Sequence, residues 1–173
     1  MNASEEDPGL IREKLSLLGR MALEKHVRAL DGSDMKTKIE ALEILGALRE
    51  ESAIPGIRRC FKSADPSIRI KAASAAIAMH DIRLAPEVIA GLSDPVVAVR
   101  MESLAAATRL RLNEAAPDLR RLALDPAWYI RERTLVAACL IDQHLAQDLA
   151  RLMLSDPHEA VRIAARNILR QST

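Results

Sequence analysis

Aromatic side chains are nearly missing from this 173-residue chain, which holds one Trp, one Tyr and one Phe, 2% of the whole. Proteins that hold flipped or single-stranded bases stack them on aromatic faces, so that platform is excluded. The core has to be built from Ala, Leu, Ile, Val and Met, the residues of close helix-on-helix packing. An excess of one charge is also missing: 25 Lys and Arg against 24 Asp and Glu leave a net +1. A domain whose main task is neutralising phosphates is far more basic, so nucleic acid is an unlikely partner. There are only two cysteines, Cys60 and Cys139, far apart in sequence. They make no disulfide framework and read as two buried thiols in a reducing compartment. No apolar run reaches the length of a membrane span, and MNASEEDPGL at the start lacks a basic segment followed by an apolar one. No membrane association is expected, and a cytoplasmic location is the default.

What the chain does have is a repeated phrase: DPSIRIK at 65–71, DPVVAVR at 94–100, DPAWYIR at 125–131 and DPHEAVR at 156–162, beginning 29, 31 and 31 residues apart. With 49% apolar and 28% charged residues the chain is a folded one, and self-similarity at such a period is the signature of a solenoid. Asp can cap a helix and Pro suits its first turn, so a first helix is expected at each Asp-Pro. Five residues on stand Ile70, Val99, Ile130 and Val161; nine on stand Ser74, Ser103, Thr134 and Ala165. Ile77-Ala78, Ala106-Ala107, Ala137-Ala138 and Ile168-Leu169 complete a stripe of helical period. A break at His80-Asp81, Asn113 or Asp142-Gln143 precedes a shorter second helix, marked by Ile54-Pro55, Ala85-Pro86, Ala116-Pro117 and Ala146-Gln147. Its inner stripe reads Ile57, Cys60, Phe61; Val88, Gly91, Leu92; Leu119, Leu122, Ala123; and Leu149, Leu152, Met153.

The expected architecture is all-α, an α-α superhelix of about five helix pairs forming a single domain over 1–173. Residues 8–30, broken at Gly19, read as a degenerate N-terminal helix pair with Leu10, Ile11, Leu15, Leu18, Met21, Leu23, Val27 and Leu30 on one face. Repeats follow at 31–62, 63–92, 93–124 and 125–154, the first carrying Lys38 where the others have Lys71, Arg100, Arg131 and Arg162. Residues 155–173 read as a C-terminal capping helix, with Arg166 and Arg170 as its polar outer face. At helix spacings of roughly 8–10 Å the stack is a slab on the order of 45 Å long.

The pattern D-P-x-x-x-[VI]-[RK], followed by small residues and a helix opening on Ala-Pro, resembles the HEAT repeat, and within it the short bacterial variety called phycobilin-lyase HEAT-like. The resemblance covers about 31–173. It implies second helices along the concave face, and pairing between neighbouring units of Asp65, Asp94, Asp125 and Asp156 with Lys71, Arg100, Arg131 and Arg162. It says little of function, because such repeats serve scaffolds, adaptors, lyases and some enzymes alike.

The residues disfavour catalysis. His26, His80, His144 and His158 are never three or four residues apart, and none shares a repeat with a cysteine at ligand spacing, so no metal or other cofactor is expected. His158-Glu159 precedes Val161-Arg162 and does not recur, unlike the iron-binding pairs of HEAT-like hydroxylases. What remains is surface. Arg58, Arg59, Lys62, Arg120, Arg121 and Arg151 fall outside the second-helix stripe and form a candidate face for an acidic protein or peptide, diluted by Glu87, Asp118 and Asp148. Trp128-Tyr129, inside the third phrase, is a candidate hot spot or a packing device over the next unit's loop. The expected function is a non-catalytic interaction scaffold, with a phycobilin-lyase-like, chromophore-handling protein as the alternative.

Overall fold

The computed structural model describes residues 8–171, with side chains from residue 12 onward. Among these, ten α-helices and no strand occur. A helix α1 (Pro8–Ala29) precedes five first helices, α2 (Met35–Leu48), α4 (Pro66–Met79), α6 (Val97–Leu110), α8 (Trp128–Ile141) and α10 (Glu159–Arg170). These pack successively on one another in one layer. The second helices, α3 (Ile54–Cys60), α5 (Ala85–Gly91), α7 (Ala116–Leu122) and α9 (Gln143–Leu152), form the other. One continuous core lies between the layers, holding Leu42, Leu45, Ile57, Leu84, Leu92, Leu119, Leu122 and Leu135 without exposure. Each such side chain contributes roughly 1.5–3 kcal/mol of burial. Small residues let the first helices approach: a Cβ on Gly46 of α2 would stand 3.2 Å from the Ala75 backbone of α4.

Local chemistry sets the helix boundaries. Asp34 and Asp65 cap α2 and α4, each accepting a backbone N–H at 2.7 Å, and Pro66 occupies the first turn of α4. The helices α2, α4 and α6 end on Arg49, His80 and Arg111, left-handed at φ 52–53° although none is glycine. A 3-10 turn then leads into a second helix with Pro near its start. The fourth joint departs from this. Asp142 is extended, at φ −150°, and caps α9 directly through the His144 and Leu145 N–H groups. α9 therefore runs ten residues where its counterparts run seven.

Several expectations are corrected. The segment 8–29 is one helix that passes through Gly19, with Leu15, Leu18 and Met21 exposed on it; among its described side chains Leu23, Val27 and Ala29 reach the core, and Leu30 just past its end is buried. Leu10 and Ile11 of the expected stripe lie outside the residues whose side chains are described. The first helices begin at 35, 66, 97, 128 and 159, a period of 31 throughout. The 29-residue first interval of the phrase is a slip: DPSIRIK sits two residues late in the structural register. Thus Ile68 and Ala72 fill the places of Val99 and Ser103, while Ile70 and Ser74 are only half-buried. Of the four phrases, Asp-Pro opens the helix only at α4; α6, α8 and α10 start three residues after their Asp. α9 begins at Gln143, ahead of Ala146-Gln147, and Leu152 of its expected stripe is exposed. Cys60 is buried, as read, but Cys139 is only half-buried.

Candidate partner-binding surface

The repeated charges come first, because they decide which cations remain for a partner. Arg69 reaches Asp94 of the next unit with two bonds of 2.7 and 2.9 Å. Arg100 does the same to Asp125 at 2.8 and 3.1 Å, and Arg131 to Asp156 at 2.7 and 2.8 Å. Each of these carboxylates also accepts the backbone N–H two residues on, from Val96, Ala127 or His158. Each arginine places a further N–H on two carbonyls of its own loop, at Ser63 and Ala64 in the case of Arg69. The pairing implied by the family resemblance therefore exists for Asp94, Asp125 and Asp156, with three corrections: its first cation is Arg69, Asp65 caps its own helix through the Ser67 N–H, and Arg162 donates to the Asp156 and Pro157 carbonyls of its own loop. Lys71 instead pairs with Glu43 across the outer side of α2 and α4. Ser63 takes the place of an Asp in that unit, its hydroxyl accepting the Asp65 N–H at 3.2 Å.

Burial raises the Asp94 carboxyl, but Arg69, the Val96 N–H and Arg100 together outweigh it and hold the group below its ordinary range. Asp156 is lowered first by the Arg131 bonds. These forked, charge-assisted contacts are the brackets of the stack. Burial also pushes both thiols, Cys60 and Cys139, up.

The cations of the second-helix face are largely engaged in the same kind of work. Arg58 donates to the Arg83 carbonyl at 2.5 Å and lies 3.6 Å from Glu87. Arg59 forks onto Asp31 at 2.7 and 2.8 Å. Arg121 reaches back to the Leu92 carbonyl and the Ser93 hydroxyl, both at 2.9 Å, and to Asp118. Arg151 pairs with Asp148 at 3.2 Å, both exposed. Within the candidate set Lys62 and Arg120 are exposed and have no such partner among the described residues. The structure divides the six cations into bonded braces and two free heads.

Trp128 stacks on His158 of the next unit, rings 3.9 Å apart and 4° from parallel, and Tyr129 meets Trp128 edge-on at 5.8 Å. The packing role is thus real, yet the pair keeps about two fifths of its surface, 40% and 38% exposed. Leu124, one turn past Arg120, is 74% exposed on the same stretch of chain. Sequence reasoning passed over Leu124. The signal was present, since Leu124 precedes its Asp where the other phrases have Ala64, Ser93 and Ser155. This edge offers a fixed aromatic pair, an exposed leucine and a free arginine. Among the described residues no group of three His, Cys, Asp or Glu could hold a metal ion, and no helix is long and apolar enough to cross a membrane.

Compared with known proteins, no family profile matches the chain, and no curated protein matches its sequence. Solved structures do. The chain is similar to one in the complex of CpcE and CpcF of phycocyanin lyase from Nostoc sp. PCC7120, at a TM-score of 0.72 and 24% identity, covering 87% of this chain and 65% of that one. It is also similar to a designed armadillo repeat protein in complex with the peptide (KR)4, at a TM-score of 0.65 and 14% identity over 92% of this chain and 85% of the other. An engineered protein follows at 0.62 and 14%, over 90% and 81%. The fold is that of a HEAT-like helical-repeat solenoid, of the same build as the phycobilin-lyase HEAT-like and armadillo proteins.

Proposed function

We propose that the protein is a non-catalytic interaction scaffold that binds a protein or peptide through the edge carrying Arg120, Leu124, Trp128 and Tyr129. The observation that carries this reading is the stack of Trp128 on His158, which holds a half-exposed aromatic pair in one place. An anchor already fixed loses little conformational freedom on binding, and buried aromatics and arginines dominate interface energies. Lys62 and Arg120, free of internal partners, favour an acidic partner. Arg58, Arg59 and Arg121 would serve it mainly by keeping the units in register, while Arg151 pairs only within its own helix. A reducing, cytoplasmic setting suits the buried, unpaired Cys60.

The test places a photo-crosslinking residue at Tyr129, and at Arg83 as a control, and identifies what each captures from native lysate. The captured protein is then made pure and titrated against W128A/Y129A and R120E. Losses of tenfold or more with unchanged melting support the reading; equal affinity for wild type and variants overturns it. A second reading, a chromophore-handling lyase, rests on the likeness in fold to the CpcE–CpcF complex. A shift in bilin absorbance on mixing with purified protein would favour it over the scaffold.

A further inference from the structure

Further along the first helices, the outer sides of α6 and α8 leave between them a groove of about 740 Å³. Leu104, Ala105, Val136 and Leu140 supply its apolar surface, and three arginines, Arg109, Arg111 and Arg133, line it as well. The register of the repeat explains why it is open. Lys71 of α4 meets Glu43 of α2 across a 28-residue separation, and Glu102 of α6 accepts from the Ser74 hydroxyl of α4 at 2.6 Å across the same separation. The third pair of this series is Ala105 on α6 and Arg133 on α8, and an alanine cannot bridge. Arg133, itself exposed, is left with the half-buried Glu132, at 3.9 Å and on its own helix. Arg109 and Arg111 are exposed, with no side-chain partner among the described residues. The acid that also lines the groove, Glu102, is already committed to Ser74.

We propose that this groove docks an acidic amphipathic helix of a partner protein, whose carboxylates supply to Arg133 what Glu43 supplies to Lys71. The cations stand at two levels: Arg109 lies four residues beyond Ala105, the position paired with Arg133, or about 6 Å along the axis at 1.5 Å per residue. Two acids one turn apart on a docked helix match that interval, with a Leu or Ile between them seated on Val136 and Leu140. The volume suits a few anchoring side chains, and helix-in-groove recognition uses such i, i+3, i+4 anchors. This surface shares no lining residue with the Trp128 edge and stands or falls independently of it.

A library of random 16-residue peptides displayed on phage, selected on the full chain, tests it. The key variant is Ala105→Glu, which installs the missing bridge to Arg133 and closes the groove without removing a core group. The expected result is enrichment of peptides with at least two Asp or Glu at helical spacing around Leu, Ile or Phe. Synthetic copies should bind at least tenfold more weakly to A105E and to R109E/R111E, both melting within a few degrees of wild type, while W128A/Y129A binds them unchanged. Enrichment of neutral or basic sequences, no enrichment, or binders indifferent to A105E overturns the proposal. Dodecanoate competing at the groove while no peptide binds would overturn a peptide occupant in favour of a small amphipathic acid.

Discussion

Replacing Arg69 with Met while leaving Lys71 intact separates the structural register from the one written in the phrase DPSIRIK. Arg69 makes four bonds, two to Asp94 and two to the Ser63 and Ala64 carbonyls, and the side chains of Arg69 and Asp94 are only 13% and 10% exposed. Without it, Asp94 keeps the Val96 N–H as its one remaining partner from this network. Removing one member of a buried pair strands the other charge, and a loss of about 3 kcal/mol is expected at pH 7. For a chain of this size that corresponds to a melting drop of roughly 6–12 °C. Lys71→Met removes an exposed pair and should cost under about 1 kcal/mol. Urea unfolding followed by far-ultraviolet circular dichroism reads both values.

The pH dependence adds a second signature. Asp94 is held below its ordinary value when folded, so its contribution is present above the unfolded carboxylate pKa and is lost as pH falls through the lower folded one. In Arg69→Met the Val96 N–H and Arg100 alone are left to oppose burial, the Asp94 carboxyl rises relative to wild type, and protonating it relieves the stranded charge. The gap between wild type and R69M should therefore narrow as the pH is lowered below about 4. Equal losses for R69M and K71M, or a gap that does not narrow in acid, would refute the register and the account of the bracket.

Three further outcomes follow from named contacts. In Gly91→Ala the new methyl would stand 2.2 Å from the Ser103 hydroxyl, so α5 is forced off α6 at a cost of about 1–3 kcal/mol, and S103A in the same chain should recover part of it in a thermal melt. His158→Ala uncovers one face of the single Trp, so Trp128 emission should move to the red and its quenching by acrylamide should increase, while helix content holds. Under native conditions Cys139, half-buried, should react with a disulfide reagent well before Cys60, which is buried with its Sγ 3.9 Å from the Leu30 carbonyl and should wait for unfolding; equal rates would contradict that burial.

Much of the architecture was legible because one unit cannot bury its apolar stripe alone, and the stripe repeats. The helical period, the Pro-led second helices and the single-layer succession of first helices all follow from residues a few positions apart. The corrections arise where two local signals compete. In the first phrase an Asp-Pro two residues late looks like its neighbours, but packing aligns Ile68 and Arg69 with Val99 and Arg100, and burial of the side chains outweighs the resemblance of letters. In 8–29 a glycine that suggested a break is carried inside a longer helix, at a cost of about 1 kcal/mol or less against alanine. The candidate cations were found by sequence but could not be sorted by it, since Arg120 and Arg121 are adjacent and alike while only one meets the Leu92 carbonyl and Ser93.

Composition and period by themselves determined an all-helical solenoid without an aromatic platform or an excess of charge, because both are properties of spacing and residue type. Tertiary structure alone decided which charges are spent inside the stack and which face outward. That decision depends on contacts between residues 25 to 29 apart, where a shift of two positions exchanges Arg69 for Lys71. It also decided that Trp128 is both packed and presented, and that an alanine at 105 leaves Arg133 without the partner its register provides elsewhere. Such facts arise only when one unit is laid against the next.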